Sequence, residues 1–286
     1  MKRLLDNVIF NNFTYGIHAY GSGGASLKGF DIEGNTIFNN ASISPNAGAA
    51  PGILIGGDAQ ASGITVRDNM TLLGTGSTGI LMGYAAQNQD IVLANNYFMG
   101  GSPALNFLSW SQAAVTGNTV YGISTVLDFQ SSTSATWGGN LYYRDASATA
   151  WRNAGQPYTL AGWKQSTGLG ATDQAGTVQP TGVKAFARPN TYEPGRGFVI
   201  IYNWNQLSSV PVDVSSILAA GAHYEVRNVQ DVFASTPVLS GVFPGGPATV
   251  SFPMTAVPSP VPLGSGAITP PSTGAAFQVF LITPAP

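Results

Sequence analysis

The 286-residue sequence has no cysteine, only two histidines and few charged side chains. Without cysteine the chain can form neither disulfides nor thiolate metal sites, so its fold is held without covalent staples; this leaves the compartment open. Eleven Lys and Arg and thirteen Asp and Glu make up 8% of the chain, against roughly 25% in an average soluble domain. The surface must therefore be covered mostly by uncharged polar groups. A formal net charge of −2 and the lack of basic clusters exclude the positive field of a phosphate-backbone binder and the basic face of a lipid-binding helix. Nucleic acid and membranes are not expected partners. No segment reaches the roughly 18 apolar residues of a membrane span. The opening MKRLLDNVIFNN lacks the apolar run, roughly 7–15 residues long, of a secretory signal. The expectation is a mature form, or a chain whose natural start is missing.

Several catalytic signatures are missing as well. There is no G-x-S-x-G elbow, phosphate loop, H-E-x-x-H or acidic Ca²⁺ loop, and the Gly pairs at 56–57 and 100–101 are expected in turns.

What is present is a recurring Asn. Asn7, Asn35, Asn69, Asn96, Asn118 and Asn140 follow one another at spacings of 28, 34, 27, 22 and 22 residues. Three residues before each stand Leu4, Ile32, Val66, Leu93, Val115 and Trp137, and two after stand Ile9, Ile37, Thr71, Phe98, Val120 and Tyr142. Apolar positions thus alternate across the Asn, as strands with one buried face require. An Asn at a bend can adopt the left-handed or bridge conformation, and Asn side chains stacked coil on coil can bond as an amide ladder. Asn11 and Asn39 suggest a second, shorter ladder. A further strand per coil is legible in GIHAY (16–20), GILIG (52–56), GILMG (79–83), ALNFL (104–108) and TVLDF (125–129). Internal repetition of this kind indicates a solenoid. The expected organisation is an all-β chain: a right-handed parallel β-helix over 1–150, a closing segment and linker over 151–182 with a short helix near 160–165, and an antiparallel β-sandwich-like domain over 183–286. Terminal coils need caps. No capping helix precedes Leu4, so closure by a second chain in a homo-oligomer, or by a missing N-terminal segment, is expected there.

In the last third the pattern changes to short strands, VKAFARP, RGFVIIYNW, VPVDV, HYEVRN, TVSFPM and FQVFLITP, with Pro and Gly between them. The Pro- and Ser-rich stretch 253–271 is expected to be an irregular surface loop.

The NN and GN turns between apolar columns resemble the bacterial right-handed parallel β-helix repeat proteins of the pectate-lyase-like superfamily. ARPNTYEPGRGFVIIYNW (187–204) resembles the start of β-sandwich modules appended to bacterial carbohydrate-active proteins. The first resemblance covers about half the chain and implies fold more than function, because that superfamily includes lyases, hydrolases, epimerases, esterases and non-catalytic binders. It implies an extracellular or periplasmic protein whose partner is a polysaccharide or oligosaccharide. Lyases of this fold pair Ca²⁺-binding carboxylates with a basic residue, whereas the hydrolases use several Asp in one groove. No cofactor is evident, and Ca²⁺ stays open as an ion without a recognisable ligand cluster.

On the outward columns, strand spacing would set Glu33 beside Arg67 and Asp31 beside Arg3, with Asp68 at the turn. These residues are a candidate catalytic group, or cross-strand ion pairs on a solvated sheet. Val92, Ala94, Ala114 and Thr116 follow in the later coils, which confines the charge to the N-terminal ones. His18, with Tyr15 and Tyr20 near it, is a candidate proton-transfer group or a structural side chain in a column continuing Leu54, Leu81, Asn106 and Leu127. Tyr20, Tyr84 and Trp110 are candidates for a sugar-stacking platform or for simple packing. His223 reads as structural. Three functions remain: a polysaccharide lyase or glycoside hydrolase, a non-catalytic carbohydrate-binding module, and a structural or adhesion solenoid.

Overall fold

The computed structural model describes residues 1–44, 50–73, 77–130, 132–259 and 268–285. Two compact units result, Met1–Pro180 and Thr181–Pro286. The closing segment expected at 151–182 falls almost entirely within the first.

The first unit is wound through three parallel sheets, each taking one strand from every coil. Sheet A contains Lys2–Leu5, Leu27–Glu33, Ala61–Arg67, Asn88–Ala94, Trp110–Thr116 and Ser132–Gly138. Sheet B runs from Val8–Phe10 to Leu141–Tyr143 and ends on the short Gln174–Ala175. Sheet C runs from Ile17–Gly21 to Trp151–Asn153 and ends on the antiparallel Gln156–Tyr158. The apolar columns stack in the register the sequence implies: Leu4, Ile32, Val66, Leu93, Val115 and Trp137 are successive partners across sheet A. From Ile32 onward they are buried, with the Asn+2 residues Ile37, Thr71, Phe98, Val120 and Tyr142 inside the same wall.

The bend between sheets A and B is built by the Asn ladder. The backbone N–H and the side-chain Nδ2 of each Asn both donate to Oδ1 of the Asn one coil later. For Asn69 and Asn96 both distances are 3.0 Å. The same Nδ2 also donates to the carbonyl of the apolar residue in the preceding coil: Asn35 to Leu4, Asn69 to Ile32, Asn96 to Val66, Asn118 to Leu93 and Asn140 to Val115. Polar groups buried at the edge of an apolar core are thereby paired, which avoids roughly 1–3 kcal/mol for each group left unmatched. The left-handed backbone is carried by the residue before each ladder Asn, not by the Asn itself. Asp6, Gly34, Asp68, Asn95, Gly117 and Gly139 all have φ between 51° and 69°, where Gly, Asn and Asp are favoured.

Asp173 ends the ladder. Its Oδ1 accepts from the Asn140 N–H (2.9 Å) and Nδ2 (3.0 Å), and its Oδ2 from Trp137 Nε1 (3.0 Å) and the Tyr142 hydroxyl (3.1 Å). The core is covered at that end by the helix Leu160–Thr167, whose first turn is capped by the Thr159 hydroxyl and whose end is closed by left-handed Gly168. Trp163 on the helix and Trp151 in sheet C are fully buried in the same cluster, as their place after the last coil implies. The second ladder is real but shifted by one residue. Asn39 Nδ2 does donate to Asn11 Oδ1 (2.7 Å), but the paired N–H and Nδ2 pattern is made by Asn12 on Asn40.

In Thr181–Pro286, five antiparallel strands order as Val183–Pro189, Gly197–Asn203, Phe277–Pro284, His223–Asn228 and Leu239–Val242. Ser209–Asp213 pairs with Thr249–Pro253 as a separate ribbon. Val199, Ile201, Phe280 and Ile282 of the sheet share one core with Val210, Val212, Val250 and Phe252 of the ribbon. The sequence patterns locate every strand except Leu239–Val242, an edge strand whose LSGV lacks alternation. Of the loop expected at 253–271, Pro253 still belongs to the strand Thr249–Pro253, residues 260–267 lie outside the described residues, and 254–259 and 268–271 carry no regular strand or helix.

If Asp173 closes the ladder, Asp173→Ala removes an acceptor shared by four buried donors and leaves the Asn140 N–H and the Tyr142 hydroxyl without a partner, since Trp137 Nε1 also donates to Tyr142 and Asn140 Nδ2 to Val115. Urea denaturation should then show a loss of about 2 kcal/mol or more; a loss under about 1 kcal/mol would remove the residue from that role.

Candidate functional site

The charged strip lies on the outward face of sheet A. Arg3 stands opposite Asp31 and Glu33 opposite Arg67 in strand register, because alternate residues of stacked strands share a face. Arg67 Nη2 lies 2.8 Å from Glu33 Oε2, and Arg3 Nε lies 3.5 Å from Asp31 Oδ2. The hydrogen bond to Glu33, reinforced by its charge, holds the Arg67 guanidinium above its already high ordinary value, which works against its losing a proton as a base. Asp31 is only 7% exposed, so little of its carboxyl is presented to solvent. The geometry is that of cross-strand ion pairs.

The aromatic residues form a different assembly on the outward face of sheet C. His18 and Tyr20 project from Ile17–Gly21 on alternate positions. The Tyr15 ring stacks on His18 with centroids 4.1 Å apart, His18 lies 5.3 Å from Tyr20, and Tyr20 meets Tyr84 edge-on at 5.5 Å. Tyr20 and Tyr84 come from different coils, and Gly56 of the intervening coil lies beside Tyr20 in register. Gly56 has φ of +149°, and a Cβ there would approach the Tyr84 backbone N to 2.7 Å. The missing side chain is what lets the two rings meet. Gly56 and Gly57 are the last two residues of the strand Ile53–Gly57 and do not form the turn expected of the pair.

Asp58, whose own N–H donates to the Gly21 carbonyl (2.9 Å), accepts the Tyr20 hydroxyl. Desolvation, and next this hydrogen bond, raise the Tyr20 phenol above its ordinary value. Desolvation lowers His18 below its ordinary 6.5. Tyr84 is 42% exposed and His18 and Asp58 are exposed, so the row offers ring surface, one imidazole and one carboxylate to solvent.

Trp110 is not part of this row. It opens a strand of sheet A, is fully buried, and donates its Nε1–H to the Met82 carbonyl at 3.1 Å, so its ring is closed to any ligand. The His18 column also ends differently from the sequence expectation. It continues Leu54, Leu81, Asn106 and Asp128, whereas Leu127 points into the core. Burial raises the Asp128 carboxyl, partly offset by Arg152 at 3.9 Å. Asp58 is the residue that sequence reasoning missed. Its signal was an acid following the Gly pair directly at the end of a strand.

His18 and the carboxylates of the two strips do not converge. Among the described residues there is no group of three or more His, Asp or Glu placed to hold a metal ion.

The depressed His18 sets a sign for pH. Its stabilising contribution is complete above 6.5 and is lost as pH falls through the folded midpoint, because the unfolded chain takes up the proton first. An NMR titration of the His18 imidazole should place that midpoint below 6.5; a midpoint at or above 6.5 would contradict the desolvated setting. No family model, curated protein or solved structure matches the chain.

Proposed function

We propose that the chain is a right-handed parallel β-helix of the pectate-lyase-like kind, followed by a β-sandwich, and that it is an extracellular or periplasmic protein that binds a polysaccharide on sheet C. Right-handedness is favoured because crossovers between parallel strands of one sheet are right-handed in roughly 98% of cases. The observation that carries the binding reading is the row Tyr15, His18, Tyr20 and Tyr84, with successive ring centroids 4.1, 5.3 and 5.5 Å apart.

Sugar rings offer apolar C–H faces and polar edges, which suit an aromatic surface beside a hydrogen-bonding group. Tyr15 and Tyr20 are half-buried while His18 and Tyr84 are exposed, so the row keeps ring surface open to a ligand, and the carboxylate of Asp58 at its edge can accept a hydroxyl hydrogen. His18 and Tyr20 project from a hydrogen-bonded strand, and Tyr15 and Tyr84 pack on them from the chain before one strand and after another, so the row is assembled before a ligand arrives, which lowers the cost of binding.

A catalytic role would centre on Glu33 and Arg67. General acid–base work needs a carboxyl and a base free to exchange protons with substrate, and here each already holds the other. The binding reading therefore takes precedence over a lyase or hydrolase.

Affinity electrophoresis across a polysaccharide panel, run beside assays for new reducing ends and unsaturated products, tests both. Retardation by at least one glycan should weaken roughly tenfold or more in the Tyr20→Ala, Tyr84→Ala double variant, since stacking contacts of this kind carry about 1 kcal/mol or more each. Turnover that is lost in Glu33→Gln and Arg67→Ala would replace binding by catalysis.

A further inference from the structure

Resting on that binding reading, we infer that the glycan recognised by the aromatic row is uncharged, and that polyuronates and sulfated chains are excluded from it. The charge balance runs residue by residue. Met1–Pro180 contains seven Lys and Arg and nine Asp and Glu, three of the seven cations are held in ion pairs, and none lies in the aromatic row.

Arg3, Arg67 and Arg152 are paired with Asp31, Glu33 and Asp128. Arg144 donates to the Ile123 carbonyl at 2.9 Å, and Lys164 to the Asp173 carbonyl at 2.7 Å. Lys2 lies over the Phe30 ring, 4.8 Å from its centroid. Lys28 lies on sheet A, and the carbonyls and the ring that hold Arg144, Lys164 and Lys2 leave their positive charge in place. A repeating polyanion needs a row of uncompensated cations to offset the cost of stripping water from its carboxylates or sulfates. An ion pair presents no net charge to it, and the cations that keep theirs, Lys2 and Lys28 on sheet A, Arg144 after a strand of sheet B and Lys164 on the helix, lie on separate elements and make no row along sheet C.

The row itself leans the other way. Its charged member is Asp58, exposed and held at the Tyr20 hydroxyl, and His18 carries no proton to spare near neutral pH because desolvation lowers it. An anionic chain laid over Tyr20 and Tyr84 would bring its own charges against the Asp58 carboxylate. A neutral pyranose meets ring faces and an acceptor, with no such penalty. Calcium bridging between protein and ligand carboxylates is favoured by clustered acids, and among the described residues no three of His, Asp or Glu come together.

The test changes charge while keeping the glycan backbone. Each neutral polysaccharide that retards the protein is oxidised in steps at its primary hydroxyl to the uronate. Each anionic one, polygalacturonate and alginate included, is compared with its carboxyl-reduced form, with and without Ca²⁺. The expected result is retardation by a neutral glycan that weakens roughly tenfold or more on oxidation, as like charges are brought together, and that is insensitive to salt. Retardation by an anionic chain that disappears on carboxyl reduction, and in the Tyr20→Ala, Tyr84→Ala variant, overturns the charge inference and leaves the binding reading standing. Retardation by no member of the panel in any form overturns both.

Discussion

The first unit depends on one repeated interaction, the side-chain amide that turns the chain from sheet A into sheet B and pairs with its copy in the next coil. A sharp bend at the edge of an apolar core leaves backbone groups that neither water nor a strand partner can reach. The ladder satisfies them with a group that repeats once per coil, so every coil must place its Asn over the last. Coil lengths differ, with ladder spacings from 22 to 34 residues, yet the hydrogen-bond distances hardly change. The additional residues are taken up outside the ladder. Asp173 shows how such a series can end: an acceptor with two oxygens takes the final amide and two more donors from the core wall.

Everything placed on the outer faces inherits its register from that bend. Glu33 reaches Arg67 because the strands beneath them are fixed to one another residue by residue, and Tyr20 reaches Tyr84, just past the end of Ile80–Met82, across the registered Gly56. A slip of one position would turn Glu33, Arg67 and Tyr20 inward. The aromatic row is therefore a property of the coil stacking, with Gly56 as the local exception that closes it.

Much of this was legible in the sequence, and for a physical reason. The Asn column, the apolar columns on either side and the two cross-strand ion pairs all follow from strict alternation around one landmark. What escaped lay where the landmark changes or ends. Asp173 continues the ladder, but as a different residue and 33 positions after Asn140. The left-handed bend residue varies among Asp, Asn and Gly, so no single letter marks it. Trp110 looked like a platform residue from its distance to sheet C, but it already belongs to the next strand and faces inward. Leu127 was placed in an outward column by a one-residue shift that ALNFL and TVLDF do not reveal by themselves. Asp58 became visible only when Gly21 and Gly57 were seen side by side.

The central claim is that the amides of Asn35, Asn69, Asn96, Asn118 and Asn140 are bonded coil to coil inside one cooperative unit. Hydrogen exchange at those five backbone N–H groups tests it most directly. Exchange of all five only through global opening, at a common free energy that denaturation reproduces, is the predicted result. Rapid or widely differing exchange among them would contradict it.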